Sequence, residues 1–211
     1  MARPGGDKRR FIPAAERNRE PIFQALKGLL TAPGTLLEIA SGTGQHAAYL
    51  APRLPHLAWV PSDIDPGMRE SIAAWAAEAG AANVRPARAI DVTADDWGVD
   101  DIAADLTAIF NANMVHIAPW AVCQGLMAGA GRYLPAGGLL ALYGPFFRAG
   151  HPPGEGNLSF DAQLRAEDPA WGIRTLEAVA AEAGANGLET RGIVELPANN
   201  LIAVFAKEET P

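Results

Sequence analysis

Apolar positions along the chain follow two spacings, and the switch between them sets out the elements. Leu36, Leu37 and Ile39 form a short apolar run ending in a small-residue loop with Gly42 and Gly44, after which helix-forming residues continue to Leu54. That segment reads as strand, tight turn, helix. Upstream, Ile22, Phe23, Leu26, Leu29 and Leu30 make a stripe at helical spacing that opens at Pro21 and closes at Pro33 and Gly34. The polar stretch before it, Ala14 to Glu20, reads as an exposed face rather than a lid, and the two together predict an N-terminal helical cap over about 14–32. Further strands are expected over 57–60, 83–89 (the weakest), 106–110, 139–143, 189–195 and 201–205, with helices over 67–79 and 122–133 and another carrying Leu176, Val179 and Ala180. Gly144, Pro145, Gly150, Pro152, Pro153, Gly154 and Gly156 punctuate 144–160 without any period, which predicts a long loop suited to a substrate lid.

Composition fits one domain over residues 1–211, because 49% hydrophobic and 19% charged residues supply a sizeable single core. A net charge of -7 and a pI near 5.1 oppose non-specific binding to nucleic acid or to an anionic membrane. Lys8, Arg9 and Arg10 read as a solvated basic tail. The lone Cys123 excludes an intrachain disulfide and a cysteine-only metal cage. Without an apolar stretch behind the basic start, or any apolar run long enough for a membrane helix, a cytoplasmic protein with a small-molecule substrate is expected.

The loop after the first strand carries the chemistry. Two glycines allow close approach of backbone to a ligand, and the first N–H groups of the next helix are expected to face it. Gly42-x-Gly44-x-x-Ala47 also satisfies the loose dinucleotide fingerprint. Glu38 separates the two readings: a carboxylate there repels a pyrophosphate but accepts hydrogen bonds from the ammonium or ribose hydroxyls of S-adenosylmethionine, which has no phosphate. Asp63 stands 19 residues after Gly44, about where an acid following the second strand meets ribose hydroxyls. Asp65 before Pro66 reads as a helix N-cap, and Asp91 as either an adenine contact or a plain loop aspartate.

A second informative stretch leaves the fourth strand. Asn113, His116 and Trp120 are spaced so that, if helical, they share one face. His116, with an ordinary pKa near 6.5, is a candidate general base for a protonated acceptor and equally a buried histidine satisfied by the backbone, while Asn113 and Tyr143 could orient the acceptor. Asn111 and Asn113 after one strand, and Tyr143-Gly144-Pro145 after the next, supply no acids for a hard cation, so no metal is expected.

The combination Glu38-x-x-x-Gly42-x-Gly44, the later Asp63 and the count of seven strands resemble class I S-adenosylmethionine-dependent methyltransferases. More narrowly, Leu-Glu-Ile-Ala-Ser-Gly-Thr-Gly-Gln-His at 37–46, Trp-Val-Pro-Ser-Asp at 59–63, Asn-Met-Val-His-Ile-Ala-Pro-Trp at 113–120, Tyr-Gly-Pro-Phe at 143–146, Trp-Gly-Ile-Arg at 171–174 and Leu-Pro-Ala-Asn-Asn at 196–200 resemble a small family of uncharacterised methyltransferase-like proteins of bacteria and animals. The likeness, which includes Glu-Arg-Asn at 16–18, covers nearly the whole chain. It implies an α/β, Rossmann-like fold: a seven-stranded, mostly parallel sheet with the last strand antiparallel and helices on both faces. It also implies S-adenosyl-L-methionine as cofactor, with Glu38, Ala40, Gly42, Gly44, His46, Asp63, Ile64, Asp91, Val92 and Asn111 around it. Arg17, Asn18, Trp120, Phe146, Asn157, Phe160 and Asn199 are the matching candidates for an acceptor pocket, beside His116, Asn113 and Tyr143. The resemblance names no substrate. Three functions stay open on the sequence: a small-molecule methyltransferase, a non-catalytic protein that binds the methyl donor or S-adenosylhomocysteine, and a nicotinamide-dependent oxidoreductase.

Overall fold

A computed structural model describes residues 7–208, and the chain divides after Asp91 into two units. In the first, helix α1 (Pro13–Leu29) buries Ala15, Ile22 and Leu26 along one stripe. It begins at Pro13, not at Pro21, which lies inside it. Proline is favoured in a first turn, where its missing N–H costs nothing, and the chain has such a residue at both places. The Glu16–Arg19 ion pair lies in the polar turn before Pro21, and the Gln24–Glu20 hydrogen bond (2.8 Å) spans the proline. Strand β1 (Gly34–Ile39) is buried from Thr35 onward and runs parallel to β2 (Leu57–Pro61), with Glu38 beside Pro61. Between them lie helix α2 (Gln45–Leu50) and a short 3-10 turn that contains Pro52. Helix α3 (Pro66–Glu78) follows β2.

Asp65 caps α3 by accepting from Gly67 N at 2.7 Å. Asp65→Ala is therefore expected to lower stability by about 1 kcal/mol, read as a shift in denaturant midpoint, and to leave cofactor affinity unchanged.

The strand expected over 83–89 does not form. Two isolated parallel bridges, Trp59 with Val84 and Ser62 with Arg88, replace it. Three steps along β2 are thus matched by four along 84–88, an extra residue at the position of Pro86. Proline has no N–H for a ladder, so the pairing bulges and breaks there.

The second unit holds helix α4 (Asp100–Ala103), strand β3 (Leu106–Ala112), helix α5 (Trp120–Tyr133) and strand β4 (Leu139–Gly144). Helices α6 (Glu155–Glu167) and α7 (Leu176–Ala185) then lead to the hairpin β5 (Leu188–Leu196) and β6 (Asn200–Lys207). Strand β3 is parallel to β4, whereas β6 runs antiparallel to both β4 and β5, so the last strand has the expected direction. The described residues form six strands in a mixed α/β fold rather than seven, and the missing one is the segment interrupted at Pro86. The loop expected over 144–160 is shorter, because α6 begins at Glu155 and takes up Gly156, Asn157 and Phe160.

Candidate functional site

The loop after β1 is shaped from both sides. Ala40, Gly42 and Gly44 all have positive φ, at 51°, 56° and 87°. Gly42 faces open space, since a side chain on it would meet nothing within 4 Å. Gly44 is required by packing instead: a Cβ there would stand 2.5 Å from the backbone Cα of Ile72 on α3. Three backbone donors of the loop are occupied internally. Ser41 N donates to Ser62 O (2.7 Å), Gly42 N to Asp63 Oδ2 (3.0 Å) and Gly44 N to Ser41 O (3.1 Å). Helix α2 is only six residues long. The N–H groups of these three loop residues are thus engaged within the protein.

Carboxylates are what the loop offers. Glu38 is 1% exposed, and its Oε2 accepts from Trp59 Nε1 at 2.8 Å. Burial raises its pKa to about 7, against the smaller opposing effects of hydrogen bonds from Trp59 and Ser41. Asp63 accepts from Gly42 N and, through Oδ1, from Asp65 N at 2.9 Å, each oxygen keeping a further lone pair. Beside it Ile64 is 70% exposed, an apolar ledge next to an acid. His46 Nε2 lies 2.7 Å from Asn18 Oδ1, which joins α2 to α1, and burial pulls the imidazole down to about 4. Arg17, next to Asn18, is exposed, as is Asp91 at the end of this unit.

Lys8, Arg9 and Arg10 are not a loose tail. Lys8 pairs with Glu70 at 3.1 Å, Arg9 with Glu78 at 3.3 Å and Arg10 with Asp65 at 3.5 Å, while Trp75 Nε1 donates to Arg10 O. The acids on and before α3 hold the segment along that helix, a partnership that spacing in sequence cannot reveal. One link reaches the glycine loop: Ile12 N donates to Gln45 Oε1 at 2.7 Å.

In the second unit, Asn113, His116 and Trp120 do not share a helix. Asn113 is left-handed (φ 66°), Met114–His116 is a 3-10 turn, and α5 begins only at Trp120 after Pro119. The proline stops the turn from running on as one helix. His116 is fully buried. Its Nδ1 accepts from Arg174 N at 3.3 Å, its carbonyl accepts from Gly172 N at 2.9 Å, and its ring meets Phe146 edge-on at 4.7 Å. With Nδ1 accepting, the neutral ring carries its proton on Nε2, which has no partner. Burial first, then the Arg174 charge, push the pKa down to about 3. Of the two readings of His116, a base titrating near 6.5 and a buried histidine held by the backbone, the arrangement fits the second, with Nε2–H as a neutral donor. Gly144 makes room for it: a Cβ there would stand 2.5 Å from Nε2 and 3.3 Å from Asn113 Oδ1.

The same cluster contains residues that the sequence did not single out. Arg174 clamps the turn from outside, donating from Nε to Val115 O (3.0 Å) and from one terminal nitrogen to Ala118 O (2.6 Å) and Ala170 O (2.8 Å). Its guanidinium lies 5.7 Å from the Trp120 ring centroid, so Trp120 serves the clamp. Asp161, on α6, accepts from Ile173 N at 2.7 Å and pairs with Arg165 at 2.8 Å. Tyr143, Asn111 and Val92 are buried in this unit. Asn157 Nδ2 donates to the carbonyl of Asn199, an exposed left-handed turn residue, at 3.2 Å, and Phe160 is half-buried on the same helix as Asn157. Among the described residues no group of three or more His, Cys, Asp or Glu could hold a metal ion, and no helix is long and apolar enough to cross a membrane.

Solved structures that share this fold include methyltransferases. The chain aligns with an O-methyltransferase family protein from Burkholderia thailandensis at a TM-score of 0.75 and 12% identity, over 94% of this chain and 59% of that one. An O-methyltransferase family 2 protein from Planctomyces limnophilus, in complex with apigenin, gives 0.71 and 18% identity over 91% of this chain and 61% of that one. A methyltransferase of calicheamicin biosynthesis, in its SAH-bound form, gives 0.70 and 17% over 92% and 54%. The chain thus spans between 54% and 61% of the length of these structures. At such identities the likeness establishes the α/β fold that the chain shares with these methyltransferases, and no more. By sequence, residues 9–207 match the family model described as protein of unknown function (DUF938), and the chain belongs to that family.

Proposed function

We propose that this protein is an S-adenosylmethionine-dependent methyltransferase that acts on a small molecule without a metal ion. The observation that carries the reading is the hydrogen bonding of the glycine loop. The N–H groups of Ser41, Gly42 and Gly44 are engaged within the protein, and the groups turned to the loop are the carboxylates of Glu38 and Asp63. A pyrophosphate would meet repulsion there, which weighs against a nicotinamide cofactor. A phosphate-free, cationic cofactor is complementary. The shared fold, and the SAH bound to the calicheamicin relative, point the same way.

When bound, S-adenosylmethionine supplies a methyl group activated on a sulfonium. Glu38 would hold the ammonium and Asp63 the ribose hydroxyls, with Ile64 lending apolar surface; Ala40, Gly42, Gly44, His46 and Asp91 are the other cofactor candidates of the first unit, and Val92 and Asn111 those of the second. Methyl transfer depends chiefly on holding the two reactants together, which supplies roughly 7–11 kcal/mol of the barrier. His116 would therefore orient an acceptor oxygen through Nε2–H rather than take its proton, with Asn113, Tyr143 and Phe146 beside it; Asn157, Phe160 and Asn199 are the remaining acceptor candidates of this unit, and Arg17 and Asn18 those of the first.

Calorimetry is expected to show binding of S-adenosylmethionine and S-adenosylhomocysteine but not of NAD. A folded Asp63→Ala variant should bind the donor roughly tenfold to hundredfold more weakly. Preference for NAD, or undiminished affinity in the variant, would overturn the cofactor assignment. A screen of small-molecule extract with labelled methyl donor should yield a labelled product; binding without any transfer would favour the regulatory reading.

A further inference from the structure

We propose that Gln45 receives the carboxylate of the methyl donor's amino-acid end, an inference that rests on the cofactor reading above. Gln45 is the first residue of α2 and is 3% exposed. Its Oε1 accepts from Ile12 N at 2.7 Å and from Thr43 Oγ1 at 3.0 Å. A backbone N–H can only donate, so the amide cannot be turned around, and Nε2 with its two protons must face the other way. There it has no partner. A buried amide with unused protons is costly to leave so, and its place directly after Gly42-Thr43-Gly44 makes a bound ligand the natural acceptor.

Chemistry selects which part of the ligand. Glu38 and Asp63 can accept from an ammonium and from hydroxyls, but a carboxylate has no proton to give them and would be repelled. It needs a donor. Within the loop, the N–H groups of Ser41, Gly42 and Gly44 already have acceptors in the protein. Gln45 Nε2 is a buried side-chain donor beside the loop that has no acceptor in the protein. Its other end anchors Ile12, so one amide would bridge the bound donor and the N-terminal segment that runs along α3.

Two variants and one pair of ligands test this. Decarboxylated S-adenosylmethionine differs from S-adenosylmethionine only in lacking the carboxylate. Gln45→Met removes the donor at similar volume, and Gln45→Glu keeps an acceptor for Ile12 and Thr43 while replacing Nε2 by oxygen. The preference of the wild-type protein for S-adenosylmethionine over the decarboxylated compound is expected to fall by about tenfold to hundredfold in each variant, with affinity for the decarboxylated compound within about threefold of wild type. An unchanged preference in either folded variant would overturn the assignment. So would a parallel loss for both ligands, which would make Gln45 a scaffold residue only. Failure of the wild-type protein to bind either compound would instead overturn the methyl-donor reading itself.

Discussion

Glu38→Gln is expected to stabilise the cofactor-free protein by about 3 kcal/mol at pH 8 while weakening its hold on the methyl donor by roughly tenfold to hundredfold. Burial raises the Glu38 pKa from the ordinary 4.5 to about 7. Between those values the folded state binds a proton that the unfolded chain has released, so this group's contribution is full below 4.5 and is lost as the pH climbs through about 7. Glutamine keeps an oxygen for Trp59 Nε1 and carries no charge to bury. Urea unfolding at pH 4.5 and pH 8 should show the variant gaining over wild type only at the higher pH. Equal differences at both values would mean that the buried carboxyl ionises without penalty. The cost that the wild-type protein bears is the one a bound ammonium would relieve, a case of stability given up at a functional position.

His116→Asn is expected to act in the opposite pH range. The imidazole is pushed from 6.5 down to about 3, so below 6.5 the unfolded chain takes up a proton that the folded protein refuses. Its contribution is present above 6.5 and drains away as the pH falls, by about 3 kcal/mol at pH 4. Asparagine can still accept from Arg174 N, but leaves a gap against Phe146, at a cost of about 1–3 kcal/mol at pH 7. Unfolding of both proteins from pH 7 to pH 4 should therefore show that deficit shrinking and then reversing. His46, lowered to about 4, stays in both proteins and leaves a residual acid slope. In a methyl-transfer assay the wild-type rate should show no ionisation of His116 between pH 5 and 8. A step near pH 6–7 that disappears in the variant would restore the general base.

What the sequence made legible was what depends on near neighbours. The strand, glycine loop and Glu38 could be read because the apolar run, the turn residues and the acid lie within nine residues of one another. Asp65 as a cap followed from Pro66 in the same way. Pro21 misled because proline is compatible with a first turn, and the true start at Pro13 has no side-chain cap to announce it. Residues 155–160 read as loop because α6 buries only Asn157 and Leu164 and so shows little apolar period. The chemistry of His116 was hidden for a different reason. Its proton is placed by the backbone of Arg174 and its pKa by burial, both consequences of folding across 58 positions. Gly44 looked like a ligand glycine, although its missing side chain is required by Ile72.

The bulge at Pro86 bears on the hydrogen-bonding row that the segment beside β2 presents. A continuous outer strand would offer a row of unsatisfied donors and acceptors on which another chain could lay down a strand of its own. Segment 84–88 pairs with the 59–62 stretch through two isolated bridges and includes a residue that cannot donate, so it does not present such a continuous template. The irregularity that removes a strand from the fold also interrupts the row of donors and acceptors that a regular edge would carry.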